Sequence, residues 1–358
     1  MFLFIRSLSL LTILLIALTA CGASPAAQSP TAASTIAPPT AAPTMAPTDV
    51  PTVVPTTVPT VAAVPDAITV TDDLGRTVTL EVVPQRIVSL APSVTELLFA
   101  VGAGPQVVGV TTFCNYPPEA DSLPEIGGFS ASSISLEVIV GLQPDLVIAG
   151  SARQQAVAEQ LEQLGVPVVI FAPASFEAVY ASILRVGALT GHNDEAEQVV
   201  ASMQARIAAV LEAIPDDGGP TVYWEVIDDP MMTTGPNTFI GQMITLVGAT
   251  NIFADTNEDY PTVSPETVFA RDPQVILGPD SHGEFLTVAA ISERPGWADL
   301  QAVRDGRVYT LDGNIVSRPG PRLADAVELL AATLYPELFG GTVPTGGWSS
   351  LHAARCHL

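Results

Sequence analysis

The chain repeats itself. Ser135-Leu136-Glu137-Val138-Ile139, followed by Gln143-Pro144-Asp145-Leu146-Val147-Ile148, returns as Ser264-Pro265-Glu266-Thr267-Val268 and Asp272-Pro273-Gln274-Val275-Ile276-Leu277 at one constant offset in numbering. Leu98-Phe99-Ala100-Val101-Gly102-Ala103 also has an echo, at another spacing, in Ile244-Thr245-Leu246-Val247-Gly248-Ala249. In each copy a helix start precedes a short apolar run of buried-strand character, so the chain must build a related α/β unit twice. Two related lobes facing each other make a cleft at their boundary, where ligand sites are commonly found.

The rest of the pattern agrees with this. Ile68 to Leu80 alternates apolar and polar residues around Asp73-Leu74-Gly75-Arg76 and reads as a β-hairpin. Buried-type strands follow at Arg86 to Leu90, Val107 to Val110, Asp145 to Ala149 and Val166 to Phe171. A second set comprises Thr221 to Ile227, Gln274 to Leu277 and Arg307 to Leu311. Strands alternating with helical stretches predict α/β architecture with mostly parallel sheets. Between the sets lies a helical tract broken near Gly191 and His192, whose later half runs from about Asp194 to Ile214 and stops at Pro215. A helix of about 20 residues spans about 30 Å, enough to join two lobes.

The first 65 residues cannot join either core. Arg6, the apolar stretch Leu8 to Leu18 and the small residues Thr19 and Ala20 have the anatomy of an export signal. Leu18-Thr19-Ala20-Cys21 resembles the lipobox of bacterial lipoproteins, in which the cysteine is diacylated; two acyl chains suffice for stable anchoring. Gly22 to Pro65 is rich in Pro, Thr, Ala and Val, with Pro recurring at 43, 47, 51, 55 and 59, and reads as an extended stalk. The expected layout is a leader over 1–20, a lipidated cysteine and disordered linker over 21–65, an N-terminal α/β lobe over 66–190, a connecting helix over 191–219, a C-terminal α/β lobe over 220–339 and a flexible tail over 340–358.

Charge and residue types narrow the function. Thirteen basic residues, all arginine, face 37 acidic ones for a net charge of -24. Nucleic-acid binding, which needs a basic patch to displace counterions, is excluded as an expectation. Cys21, Cys114 and Cys356 make no disulfide framework. The sequence carries no Gly-x-Ser-x-Gly elbow, Walker A loop or His-Glu-x-x-His pair, and no catalytic residues are assigned. Of the histidines His192, His282, His352 and His357, the last two lie with Cys356 in the tail, leaving too few for a dedicated metal carrier. Ser93-Val94-Thr95-Glu96 reads as a capping box, with Ser93 bonding the third helical N–H and Glu96 reaching back.

Three tracts in order, Asp72-Asp73-Leu74-Gly75-Arg76-Thr77-Val78, Arg86-Ile87-Val88-Ser89-Leu90-Ala91-Pro92-Ser93-Val94-Thr95-Glu96 and Ser317-Arg318-Pro319-Gly320-Pro321-Arg322, resemble the periplasmic-binding family that serves cobalamin, heme and ferric-siderophore importers. The similarity runs from about Thr71 to Phe339. It implies two Rossmann-like lobes joined by one long helix, small hinge motion and a ligand held in the cleft between the lobes. The tract Phe113-Cys114-Asn115-Tyr116-Pro117-Pro118-Glu119-Ala120 is most similar to the cobalamin binders.

On that resemblance the expected ligand contacts are Phe113, Tyr116, Phe129, Trp224, Tyr260, Asn314, Ile315, Val316, Ser317 and Arg318. Aromatic side chains with a polar tip suit the large, partly apolar face of a corrin. Heme and ferric siderophores are the alternative ligands, and a fold-related metal-cluster enzyme is a more distant alternative. Glu137 and Glu266 match the carboxylates that dock on arginines of a dimeric permease. The expectation is a monomeric, non-enzymatic binding protein without a resident cofactor or metal, lipid-anchored on the extracytoplasmic face and working with an ABC permease and its ATPase.

Overall fold

The computed structural model describes residues 67–215, 218–280 and 286–340. Cys21, the Pro/Thr tract, His282 and the tail with His352, Cys356 and His357 lie outside the described residues.

The chain begins with the hairpin β1 (Ile68–Thr71) and β2 (Thr77–Leu80), paired antiparallel. Its turn carries the Asp-Asp-Leu-Gly-Arg tract, whose role is structural. Buried Asp72 accepts from the N–H groups of Leu74, Arg76 and Ile170 and from the Arg76 guanidinium. Burial alone would raise its carboxyl; these bonds and the Arg76 charge outweigh it and hold the group below its ordinary range. Asp73 accepts from the Ala172 N–H at 2.7 Å and pairs with Arg185, so the two acids pin the hairpin to the first lobe.

The first lobe continues through β3 (Ile87–Ser89), α1 (Pro92–Ala100), β4 (Val107–Gly109), α2 (Leu136–Gly141), β5 (Leu146–Ala149), α3 (Gln155–Gln163) and β6 (Val168–Ile170). Its four strands are all parallel in the order β4-β3-β5-β6. Every residue of β3, β5 and β6 is buried, as expected of strands covered on both faces. Helices α4 (Phe176–Thr190) and α5 (Asn193–Ala213) follow, separated by Gly191 in the left-handed region and by His192.

The second lobe comprises β7 (Thr221–Asp228), β8 (Met231–Thr233), α6 (Phe239–Leu246), β9 (Thr250–Asn251), α7 (Pro265–Arg271), β10 (Val275–Pro279), α8 (Val288–Ser292), α9 (Gln301–Arg304), β11 (Val308–Leu311), α10 (Gly313–Val316) and α11 (Leu323–Leu334). Parallel pairings join β9 to β7, β7 to β10 and β10 to β11, while β8 adds to β7 antiparallel. Set β8 aside and the strand order is that of the first lobe. The sequence echo thus corresponds to a topological one.

The echo extends to backbone detail. Gln143 and Asp272, at matching positions before a proline, are the two non-glycine residues with positive φ among the described residues, at 51° and 36°. Gly102 and Gly248 close α1 and α6 with φ of 88° and 72°, and Ala103 and Ala249 each donate to the carbonyl five residues back. The fold class expected from the sequence, two α/β lobes with mostly parallel sheets, is the one observed.

One buried cluster runs through both lobes, taking in Leu98, Phe171, Ile183 and Met203 together with Trp224, Met243 and Leu330. Phe176 and Phe239 meet across it with ring centroids 6.4 Å apart. Arg206 of α5 pairs with Asp325 and Glu328 of α11.

Candidate functional site

In both sheets the topology reverses between two central strands, β3 and β5 in one lobe and β7 and β10 in the other. The carboxyl ends of such strands form the crevice where open α/β sheets bind ligands. The loop after β4 carries Phe113 and Tyr116 and, further on, Phe129; the corresponding loop after β9 carries Tyr260. All four remain exposed, at 56, 44, 38 and 50%. One exposed aromatic is unremarkable, but four on loops at the carboxyl ends of the two sheets mark a candidate ligand-binding surface.

The Phe113 loop is fixed from beneath and from across the lobe boundary. Beneath it, the buried Cys114 thiol lies 3.1 Å from both the Thr95 and Thr111 hydroxyls. From across, Arg318 Nη2 donates to the Phe113 carbonyl at 3.1 Å and Nη1 to Asn115 Oδ1 at 2.9 Å. Arg322 lies over the Tyr116 ring, 4.3 Å from its centroid.

Both arginines converge on Glu96. Arg318 Nη1 donates to its Oε1 at 2.8 Å; Arg322 grips it with two bonds, Nε to Oε2 at 2.9 Å and Nη2 to Oε1 at 2.6 Å. Burial alone would lower the Arg322 guanidinium, but the Glu96 bonds and charge outweigh it and hold the group above its ordinary value. This corrects the capping-box expectation. Pro92 suits the first helical position, which moves the N-cap back to the extended Ala91; no side chain caps the helix, and Glu96 is left to face the other lobe.

Three of the expected contacts have buried side chains. Trp224 is fully buried on central strand β7, and Ile315 and Val316 turn into the core from α10. Their side chains are packing residues: strands covered on both faces and short amphipathic turns bury what the sequence pattern alone leaves undecided. Asn314 accepts from Arg318 Nη2 through Oδ1, and Ser317 is exposed.

Two residues beside the site were not anticipated. Gln154 donates to the carbonyls of Leu90 and Phe129, at 2.8 and 3.0 Å, and accepts from Gly150 N–H, strapping together the loops after β3, β4 and β5. Next to it, exposed Arg153 makes no side-chain hydrogen bond or ion pair among the described residues. Burial and the Asp259 carboxylate push the Tyr260 phenol up, and Arg153 opposes them, so a first-lobe cation acts on the second-lobe aromatic. The signal that points to both is their place, in the turn directly after a buried parallel strand.

Glu137 and Glu266 occupy equivalent first turns. Ser135 accepts from the Val138 N–H and Ser264 from the Thr267 N–H, and both carboxylates are exposed. Glu266's own backbone N–H and the Ser264 hydroxyl hold its carboxyl below the usual range.

A sequence profile described as periplasmic binding protein matches residues 87–315. An ABC transporter substrate-binding lipoprotein of Bacillus subtilis, YvrC, is 35% identical over 280 residues, covering 76% of this chain and 87% of its own. A cobalamin-binding protein of Halobacterium salinarum is 32% identical over 271 residues, covering 74% of this chain and 73% of its own. Among solved structures, the periplasmic heme-binding protein RhuT of Roseiflexus sp. RS-1 is 34% identical with a TM-score of 0.62, covering 71% of this chain and 99% of that one. With its paired lobes and the profile match spanning strands of both sheets, the chain belongs to the periplasmic binding protein family.

Proposed function

We propose that this chain is the extracytoplasmic, lipid-anchored substrate-binding protein of an ABC importer, without catalytic activity of its own, and that its ligand is cobalamin or a related corrinoid. The observation that carries the ligand class is the set of four exposed aromatic side chains, three from one lobe and one from the other, on the loops at the sheets' carboxyl ends. A corrin offers a broad apolar face with amide-bearing edges, which suits aromatic walls beside a free guanidinium such as Arg153. The cobalamin-binding relative supports that choice; the heme-binding structure at 34% identity supports heme as the second reading.

Titration of the purified protein, followed by calorimetry and the visible spectrum, decides between them. Cyanocobalamin and cobinamide are expected to bind, and Phe113→Ala or Tyr260→Ala to weaken binding by roughly tenfold, the effect of losing about 1.4 kcal/mol at a central aromatic contact. No heat and no spectral shift with either corrinoid, alongside binding of heme or a ferric hydroxamate, reassigns the ligand.

The lipobox-like segment and the lipoprotein relative support membrane attachment at Cys21. No helix among the described residues is long and apolar enough to cross a membrane. Cys21→Ala is expected to move the protein from the membrane fraction to the soluble fraction. Retention of the variant in the membrane fraction at wild-type levels places the anchor elsewhere.

A further inference from the structure

Building on the proposal that aromatic side chains of both lobes hold the ligand, we propose that Arg318 and Arg322 are positioning residues: from the second lobe they set the ligand-facing loop of the first, so that lobe separation and the shape of that wall change together.

The hydrogen-bond count at Arg318 carries the argument. Its two Nη atoms have four hydrogens, and four acceptors take them: Glu96 Oε1, Asn115 Oδ1, the Phe113 carbonyl and Asn314 Oδ1. A guanidinium so occupied has no Nη donor left for a ligand and acts instead through what it holds. Three of the four acceptors belong to the other lobe, and two of those lie in the loop that presents Phe113 and Tyr116. Arg322 adds a second hold on the same loop by stacking on Tyr116, while its Nη2 also donates to the Asn314 carbonyl at 2.9 Å.

Both arginines owe their placement to one carboxylate. Glu96 side-chain exposure is 1%, against 12% and 13% for Arg318 and Arg322. In that setting a planar, forked donor fits a carboxylate in a way lysine cannot reproduce. Within the first lobe, the loop between Val110 and Pro118 has its own backbone bonds at Thr112 and Cys114, but among the described residues no hydrogen bond from that lobe reaches the Phe113 carbonyl or the Asn115 side chain, and the Tyr116 ring is held by Arg322 of the other lobe. Separating the lobes therefore withdraws the support of the ligand wall at the same time as it widens the cleft. A transporter that spreads the two lobes would loosen ligand contacts by this route without touching the ligand.

Hydrogen exchange on the ligand-free full chain tests this. In Arg318→Gln and Arg322→Gln, the hydrogen-bonded amides of Thr112 and Cys114 in this loop are expected to exchange roughly tenfold faster, the effect of losing one hydrogen bond's worth of local stability. Amides of β5 and β10 should keep wild-type rates. Arg318→Lys, which preserves the charge beside Glu96 but not the fork, should give an intermediate rise. Wild-type exchange of the loop in both Gln variants overturns the proposal, as does a rise shared equally by β5 and β10, which signals general destabilisation. Where the wild type binds cyanocobalamin, its release from the Gln variants should also be faster. A wild type that binds no corrinoid or heme sinks the ligand reading alone, because the exchange comparison needs no ligand.

Discussion

Glu137→Ala combined with Glu266→Ala is expected to leave ligand affinity unchanged while lowering stimulation of the cognate transporter's ATPase, and ligand uptake, by about 100-fold. Each lost charge pair at a docking rim is assigned roughly tenfold, and the two lie on separate lobes, so their effects should multiply. The competing account is that both residues merely serve their helices. An acidic side chain in a first turn is favoured by the helix dipole, and the Ser264 hydroxyl already assists Glu266. That account predicts a small loss of stability and normal transport. It also leaves unexplained why the carboxylate falls at the same step after the capping serine in both lobes, since the dipole would accept an acid one position to either side. Reconstitution with the permease and ATPase, together with a ligand titration, separates the accounts. Normal transport by the double variant, or a loss of ligand affinity, removes the docking role.

What the sequence made legible was local. The hairpin, the buried strands and the paired helix starts at Ser135 and Ser264 each follow from signals within a few residues: period-two alternation, short apolar runs and a serine ahead of a helix. The internal echo raised these fragments to an architecture, because whatever one copy builds the other must build too. The site was legible only in part. Phe113, Tyr116, Phe129 and Tyr260 were identified and are exposed, but Trp224 could not be told from them by type, since a tryptophan reads the same in a cleft and in a core. Glu96 reads as a cap when it is judged against its sequence neighbours, and Arg318 enters the expected contacts only through the family resemblance. Their partners are 222 and 226 residues away, a separation no local pattern spans. The cue that was available is compositional: a chain with only 13 arginines places two of them four residues apart in a Pro/Gly-rich turn, where a helix dipole or surface solubility requires neither.

The same cluster yields the largest expected effect on stability, from Glu96→Ala. Removing the carboxylate leaves two guanidinium groups largely buried with their shared countercharge gone, and breaking a buried pair from one side typically costs about 3 to 5 kcal/mol. For a domain of this size each kcal/mol moves Tm by about 2 to 4 °C, so a fall on the order of 10 °C is expected. Glu328→Ala supplies the comparison. It also removes a carboxylate paired with an arginine, and it also joins α5 to the second lobe, but Arg206 keeps Asp325 as a second partner and both side chains reach solvent, at 31% and 26% exposure. A pair of that kind contributes about 0 to 1 kcal/mol, a shift of a few degrees at most. Two variants with the same change of charge should thus differ severalfold in cost, and the difference lies in burial and in how far the remaining anion sits: Asp312 acts on Arg322 through its charge alone, whereas Asp325 pairs directly with Arg206. Replacing all three members, as Glu96→Leu with Arg318→Met and Arg322→Met, should restore most of the lost stability, because exchanging a buried ion cluster for apolar side chains of similar volume is often neutral or favourable. Thermal unfolding followed by circular dichroism measures all three. If Glu96→Ala unfolds within a few degrees of Glu328→Ala, the interlobe cluster is solvated enough to behave as a surface pair, and its place in holding the lobes together must be given up.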